Sequence, residues 1–223
     1  MNRNIVKRVM QVLLSFIIVS VILFLTAWTV RWLWAWVLVA ANTVILAINF
    51  LALPREVIEE RGRKKENVKK WDRILSAISI IPSLGIYAVA GLDYRFYWSI
   101  ELDGGIHAAA LLLYFLGSML VTWAMVSNRF FSTMVRLQTD RGHHVATGGP
   151  YRFVRHPGYV GFILSNLMIP LILGSLYGLI ASAVSVSLLV IRAGLEDGTL
   201  KAELEGYAEY ARNVRYRLLP YIW

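Results

Sequence analysis

Two short stretches of this chain carry side chains able to do chemistry. "VRHPGYVG" (154–161) offers a guanidinium, an imidazole and a phenol in Arg155, His156 and Tyr159, with Pro157 and Gly158 forcing a turn between them. "RAGLED" (192–197) offers Arg192 and Glu196 at i, i+4, which puts them on one helix face. A guanidinium at the edge of an apolar run can grip a carboxylate or phosphate through two parallel N–H bonds. "TGGPY" (147–151) adds close backbone approach and a fixed turn. Peptide N–H groups at such turns, beside an aromatic face, suit an adenosine and an amino-acid carboxylate. Simpler roles stand beside these. His156 and Arg155 can snorkel beside a helix start, and Arg192 and Glu196 can form an ordinary surface ion pair. Tyr207 and Tyr210 can be packing residues, and Arg215 and Arg217 can anchor the tail to headgroups. His143, His144 and His156 lack the i, i+4 spacing or carboxylate partners of a zinc hydrolase, and the chain has no Cys, so no metal is expected.

The elements that must position these residues are membrane helices. Apolar residues make up 57% of the 223, and the mean hydropathy is +0.56, too apolar for an ordinary soluble domain. Charge-free runs cover Val9–Val30, Trp32–Leu53, Ile74–Leu92 and Ile106–Asn128, each close to the ~20 helical residues that cross a bilayer. A fifth, Tyr159–Ile191, is 33 residues long and holds Pro170 and Gly174 near its middle. One helix of that length overshoots the bilayer core, so the expectation is a hairpin of two short helices of roughly 14–16 residues joined at "PLILGSLYG". The basic start "MNRNIVKR" resembles a signal n-region, but the run after it is too long and "LTAWTVRW" is a poor cleavage site, which predicts a retained helix. Of 23 Lys and Arg, all but Arg31 and Arg95 fall in alternate loops. The positive-inside rule makes that side cytoplasmic, with six crossings and both termini inside. The net charge of +9 then reads as topology and contact with anionic lipid headgroups. Nucleic-acid binding is not expected, since no basic stretch is interleaved with aromatics on a soluble domain.

The fold class is therefore an all-α, multi-pass integral membrane protein. Residues 1–128 read as a four-helix scaffold and 129–223 as the functional region: a polar Gly-rich loop, the 159–191 hairpin and a cytoplasmic C-terminal helix. Trp28, Trp32, Trp34, Trp36 and Trp98 suit an interfacial aromatic belt. Asn42 and Asn49 suit interhelical hydrogen bonds or a substrate cavity. The charged loop 54–73 reads as an interfacial helix on the inner leaflet, and "ELDGG" (101–105) as a turn.

"GPYRFVRHPGYVG", the hairpin, "RAGLED" and "GYAEY…VRYRLLP" together resemble the isoprenylcysteine carboxyl methyltransferase family, whose RHPxYxG signature is shared with the phospholipid N-methyltransferases. The resemblance runs from Gln138 to Trp223. It implies an S-adenosylmethionine-dependent membrane enzyme without a Rossmann domain, acting on a lipidic or prenylated acceptor, most simply a carboxylate. By the resemblance, Gln138, His143, Val145, Ala146, Tyr151, His156, Pro157, Gly158 and Tyr159 hold the cofactor, while Arg192 and Glu196 face the acceptor and are the catalytic candidates. Asp197 stands where the family has a second glutamate. A carboxylate acceptor needs no base: Arg192 would hold it and Glu196 would orient Arg192. An amine acceptor, as in a phospholipid N-methyltransferase, would use Glu196 as base. A third reading is an NADPH-dependent membrane reductase with Arg152, Arg155 and Arg215 at the 2′-phosphate.

Overall fold

The computed structural model describes residues 2–223 and, among these, contains helices and no strands. In chain order they are α1 (Arg3–Ala27), α2 (Leu33–Ala52), α3 (Arg55–Gly62), α4 (Lys70–Phe96), α5 (Gly104–Ser127), α6 (Pro157–Leu173), α7 (Gly178–Glu203) and α8 (Tyr207–Asn213). Local signals set most of the ends. Asn2 caps α1 through the Asn4 N–H, and Asp103 caps α5 through the Gly105 N–H, so "ELDGG" is a turn that starts a helix. Pro54 lies just past α2 and before α3.

Five helices, α1, α2, α4, α5 and α7, are long and apolar enough to cross a membrane, and α6 is a shorter apolar helix of 17 residues. Their apolar side chains point outward to an unusual degree. Leu14, Ile17, Val21, Leu25, Leu51 and Ile81 are all exposed. A surface of this kind is stable in hydrocarbon rather than water, with backbone groups paired inside each helix. The chain is an integral membrane protein.

Small residues and buried polar pairs join the helices. α5 and α6 cross at Gly117 and Gly161, where a Cβ on Gly161 would overlap the Gly117 carbonyl oxygen. Close backbone approach through small residues is how packing is won where lipid competes for apolar contact. Tyr114 donates to Asn42 Oδ1 at 2.8 Å and Thr122 donates to Asn49 Oδ1 at 2.9 Å, so both asparagines tie α2 to α5.

Three sequence expectations need correction. The hairpin arms are unequal: α6 has 17 residues and α7 has 26, because α7 runs on past the apolar stretch to Glu203. Pro170 stays inside α6, and the break comes at Gly174, whose φ of 75° suits glycine. The tryptophans do not all face lipid. Trp32 is buried and stacks on Tyr94, and Trp34 stacks on His107, each at 4.2 Å. The 54–73 segment is more than a surface helix: α3 packs on α1, with Val57 and Glu60 buried.

Candidate active site

α1 begins at the end of the bundle where α2 and α7 finish. At this basic end, residues 128–156 cross over as a long loop with only two short 3₁₀ turns, Thr139–Arg141 and Gly149–Arg152. Asp72, in the first turn of α4, pins it. Its carboxylate has no solvent exposure, accepts the Val135 N–H at 2.7 Å, and accepts Arg192 Nε and Nη2 at 2.7 and 3.2 Å. Arg192 Nη2 also reaches the Thr133 carbonyl at 3.0 Å. Arg192 Nη1 has no hydrogen-bond acceptor among the described residues.

Asp72 was not among the sequence candidates, and it changes the expected pairing. Arg192 and Glu196 share a face of α7, yet Asp72 orients Arg192. Glu196 instead accepts the Tyr159 hydroxyl at 2.6 Å, tying the first turn of α6 to α7. The sequence held one faint signal for Asp72. It stands beside the charge-free run of α4, as Arg192 stands at the end of the run in α7, so both come to the same boundary.

A second buried carboxylate, Asp197, anchors the "RHPGY" turn from behind. Arg155 Nε and Nη2 donate to it at 2.6 and 3.1 Å, Arg217 Nε at 2.9 Å and the Tyr207 hydroxyl at 3.0 Å. Lys201 completes the cluster at 3.0 Å. Burial, then the Asp197 charge, pushes the Tyr207 phenol far above its ordinary pKa, so it stays a donor. The remaining Arg155 donor, Nη1, reaches the Val214 and Arg215 carbonyls. The backbone N–H groups of Arg155 and His156 bond to the Tyr216 and Arg217 carbonyls, each at 2.9 Å. Arg155 is thus buried and fully paired, which takes it out of any open 2′-phosphate patch. Asp197 faces this clasp rather than an acceptor.

The two carboxylate clusters flank a cavity of about 330 Å³. Gln138, His143, Val145, Ala146, Tyr151, His156, Gly158, Tyr159, Arg192 and Glu196 all line it. Pro157 is buried at the first position of α6 and is not in the wall. Gly158 packs against the Phe131 ring, with no room for a Cβ between them. Gln138 is fully buried, donating to the Phe130 carbonyl at 2.6 Å and accepting from Arg141 at 2.7 Å. Its role in the wall is to hold the loop. His143 accepts the Gln138 N–H at Nδ1, and its ring lies tilted against Phe130 with centroids 4.6 Å apart. Burial lowers its pKa to about 4, helped by His144, Arg136 and Arg141, so it is neutral near pH 7. The Tyr151 hydroxyl accepts from Asn128, and its carbonyl accepts the Tyr210 hydroxyl at 2.7 Å. His156 is buried with Nε2 3.3 Å from the Tyr207 hydroxyl.

Residues 110–202 match the family model described as the isoprenylcysteine carboxyl methyltransferase (ICMT) family. Over this stretch the chain is similar to that family. The match takes in α6, α7 as far as residue 202, Arg192, Glu196 and the whole cavity loop. Two relatives, each called a probable protein-S-isoprenylcysteine O-methyltransferase, come from Oryza sativa subsp. indica and subsp. japonica. Each is 32% identical over 73 residues, which are 32% of this chain and 35% of the relative. The chain thus matches about a third of the length of these ICMT relatives.

Proposed function

We propose that this protein is a membrane methyltransferase that uses S-adenosylmethionine to methylate a lipidic or prenylated carboxylate. The observation that carries the reading is the convergence of Arg192, Glu196 and Tyr159 on one cavity. Apart from Pro157, the other residues that the resemblance selects line the same cavity. The cavity's residues suit such a donor. Phe130, Phe131 and Tyr151 offer aromatic faces, and the buried Ser132 hydroxyl in the wall has no partner of its own. In this reading Tyr151, His143, Val145 and Ala146 surround the donor, while His156, Pro157 and Gly158 shape the turn that closes on it.

When bound, the donor supplies a methyl carbon already activated by its sulfonium. The chain's task is then alignment and exclusion of water. Arg192, held by Asp72, keeps Nη1 open for an acceptor oxygen. Glu196 fixes Tyr159 at the α6–α7 junction. No general base is needed for a carboxylate, which is already ionised at neutral pH. The 2.6 Å Tyr159–Glu196 contact also favours a second reading. With an amine acceptor, as in phospholipid N-methylation, Glu196 would receive the proton. The basic end of the bundle faces the cytoplasm in either case, with both termini there and six crossings between.

The test is direct. S-adenosylhomocysteine titrated into the detergent-purified protein should raise its thermal stability, by about 2.7 kcal/mol at a hundredfold excess over Kd. NADPH should not. Labelled S-adenosylmethionine offered with membrane extract should label a base-labile ester, whereas a base-stable lipid product would favour the amine reading. Glu196→Gln should lower methyl transfer while leaving S-adenosylhomocysteine binding intact. Stabilisation by NADPH alone would overturn the proposal.

A further inference from the structure

Arg192 cannot offer the acceptor a full positive charge, because Asp72 already neutralises it. A second guanidinium, without an ion-pair partner among the described residues, lines the same cavity. Arg61, at the end of α3, is half-buried and has no hydrogen-bond or ion-pair partner among the described residues. Its guanidinium lies 5.5 Å from the centroid of Phe131, the ring that packs on Gly158. Burial, with Arg8 and Arg192 nearby, lowers its pKa to about 9, so it remains charged at neutral pH in a strongly cationic setting.

Arg61 also lines a second cavity, of about 480 Å³, between α1, α2, α5 and α6. Arg61, Phe162 and Asn166 border both cavities. The second one is walled chiefly by apolar side chains such as Val12, Ile45, Phe50 and Val121. Its polar wall groups largely answer one another. Asn49 accepts from Thr122, Tyr114 donates to Asn42, and Asn166 donates to the Phe162 carbonyl. The exceptions are Arg8 and Arg61, which have no partner among the described residues. A space with apolar walls and unpaired cations matches an amphiphile with an anionic head and a long apolar chain.

We propose that Arg61 anchors the carboxylate of the methyl acceptor where the two cavities meet, with the acceptor's apolar chain lying in the α1–α2–α5–α6 cavity. The inference rests on the methyltransferase reading above and adds the residue that selects a carboxylate. In the reaction a carboxylate oxygen forms one C–O bond as one C–S bond of the sulfonium donor breaks. The carboxylate and sulfonium charges vanish together and no proton moves. The product ester is neutral, so Arg61 loses its counter-ion and the ester is released more readily than the acid. Arg61 lies outside the residues that match the family, so its role belongs to the scaffold of this chain.

The experiment compares N-acetyl-S-farnesylcysteine with its methyl ester. They share one apolar chain and differ in the anion. Binding to the purified protein is followed by thermal shift and by competition in vesicles of neutral lipid. The wild type should prefer the acid by about tenfold or more. Arg61→Gln should bring the ratio close to one and raise the KM for the acid with little change in kcat. Arg61→Lys should restore part of the preference, and S-adenosylhomocysteine binding should be unchanged in both variants. An acid preference that survives in Arg61→Gln overturns the inference. So does a wild type that binds neither probe, or one whose anion preference is met equally by an anionic phospholipid, which would make this a bilayer-lipid site. Loss of the preference in Arg61→Gln, with no methyl transfer by the wild type, supports the anchor and overturns the methyltransferase reading instead.

Discussion

At the residue scale, the site depends on carboxylates that have no access to water. Asp72 is buried, and Arg192 and the Val135 N–H both rely on it. Removing one member of a buried ion pair leaves an uncompensated charge, at a cost of about 3–5 kcal/mol. Asp72→Ala should therefore destabilise the protein by about that much, as read from denaturant melts in detergent. Adding Arg192→Met to Asp72→Ala should cost less than the sum of the two single changes, since no charge is then stranded. Additive losses would mean that the pair is not coupled. His143 gives a pH prediction. Its pKa falls from 6.5 to about 4 on folding. Between those values the unfolded chain binds a proton that the folded chain refuses. Stability should hold above pH 6.5 and drop as pH falls towards 4. His143→Gln should flatten that part of the pH–stability curve, and an unchanged curve would mean that another group carries it.

At the element scale, the pivotal contact is the α5–α6 crossing at Gly117 and Gly161. It sets where the first turn of α6 brings Tyr159. Gly161→Val would force the helices apart, and overpacking of this kind costs about 1–3 kcal/mol. Melting temperature should fall, and S-adenosylhomocysteine affinity should fall with it. Loss of stability with undiminished affinity would show that the crossing does not position the cavity. This dependence explains what was legible in the sequence. Helix positions follow from charge-free runs. Most of the residues that the RHPxYxG resemblance selects come to one cavity wall. Partners across the chain were not legible. Asp72 and Arg192 are 120 residues apart, and Arg155 and Asp197 are 42 apart. Each side chain has an ordinary local explanation, as a loop charge or a surface pair, until the helices are packed. Arg61 was hidden the same way, as one cation among eight Lys and Arg in residues 55–73.

At the scale of the whole molecule, the cavity's depth is tied to the shortest of the six long apolar helices. α6 has 17 residues, and at ~1.5 Å each it is about 26 Å long, less than the ~30 Å hydrocarbon core of a typical bilayer. Its far end is held firmly. Ser175, just beyond α6, donates to Asp93 at 2.5 Å, and the Leu176 N–H donates to Ser99 at 2.8 Å. His107 Nδ1 lies 2.8 Å from the Ile172 carbonyl. With that end fixed, a thicker bilayer must thin locally or draw the His156–Tyr159 turn into hydrocarbon. The turn cannot follow easily, because Arg155 and Asp197 hold it in a polar clasp that hydrocarbon would desolvate. Reconstitution in neutral vesicles of increasing acyl length should therefore weaken S-adenosylhomocysteine binding once the core exceeds the length of α6. The loss should be smaller for a variant with two leucines inserted after Leu173, if its hairpin still folds. Binding that is indifferent to acyl length would mean that the bilayer deforms around α6 and places no load on the turn.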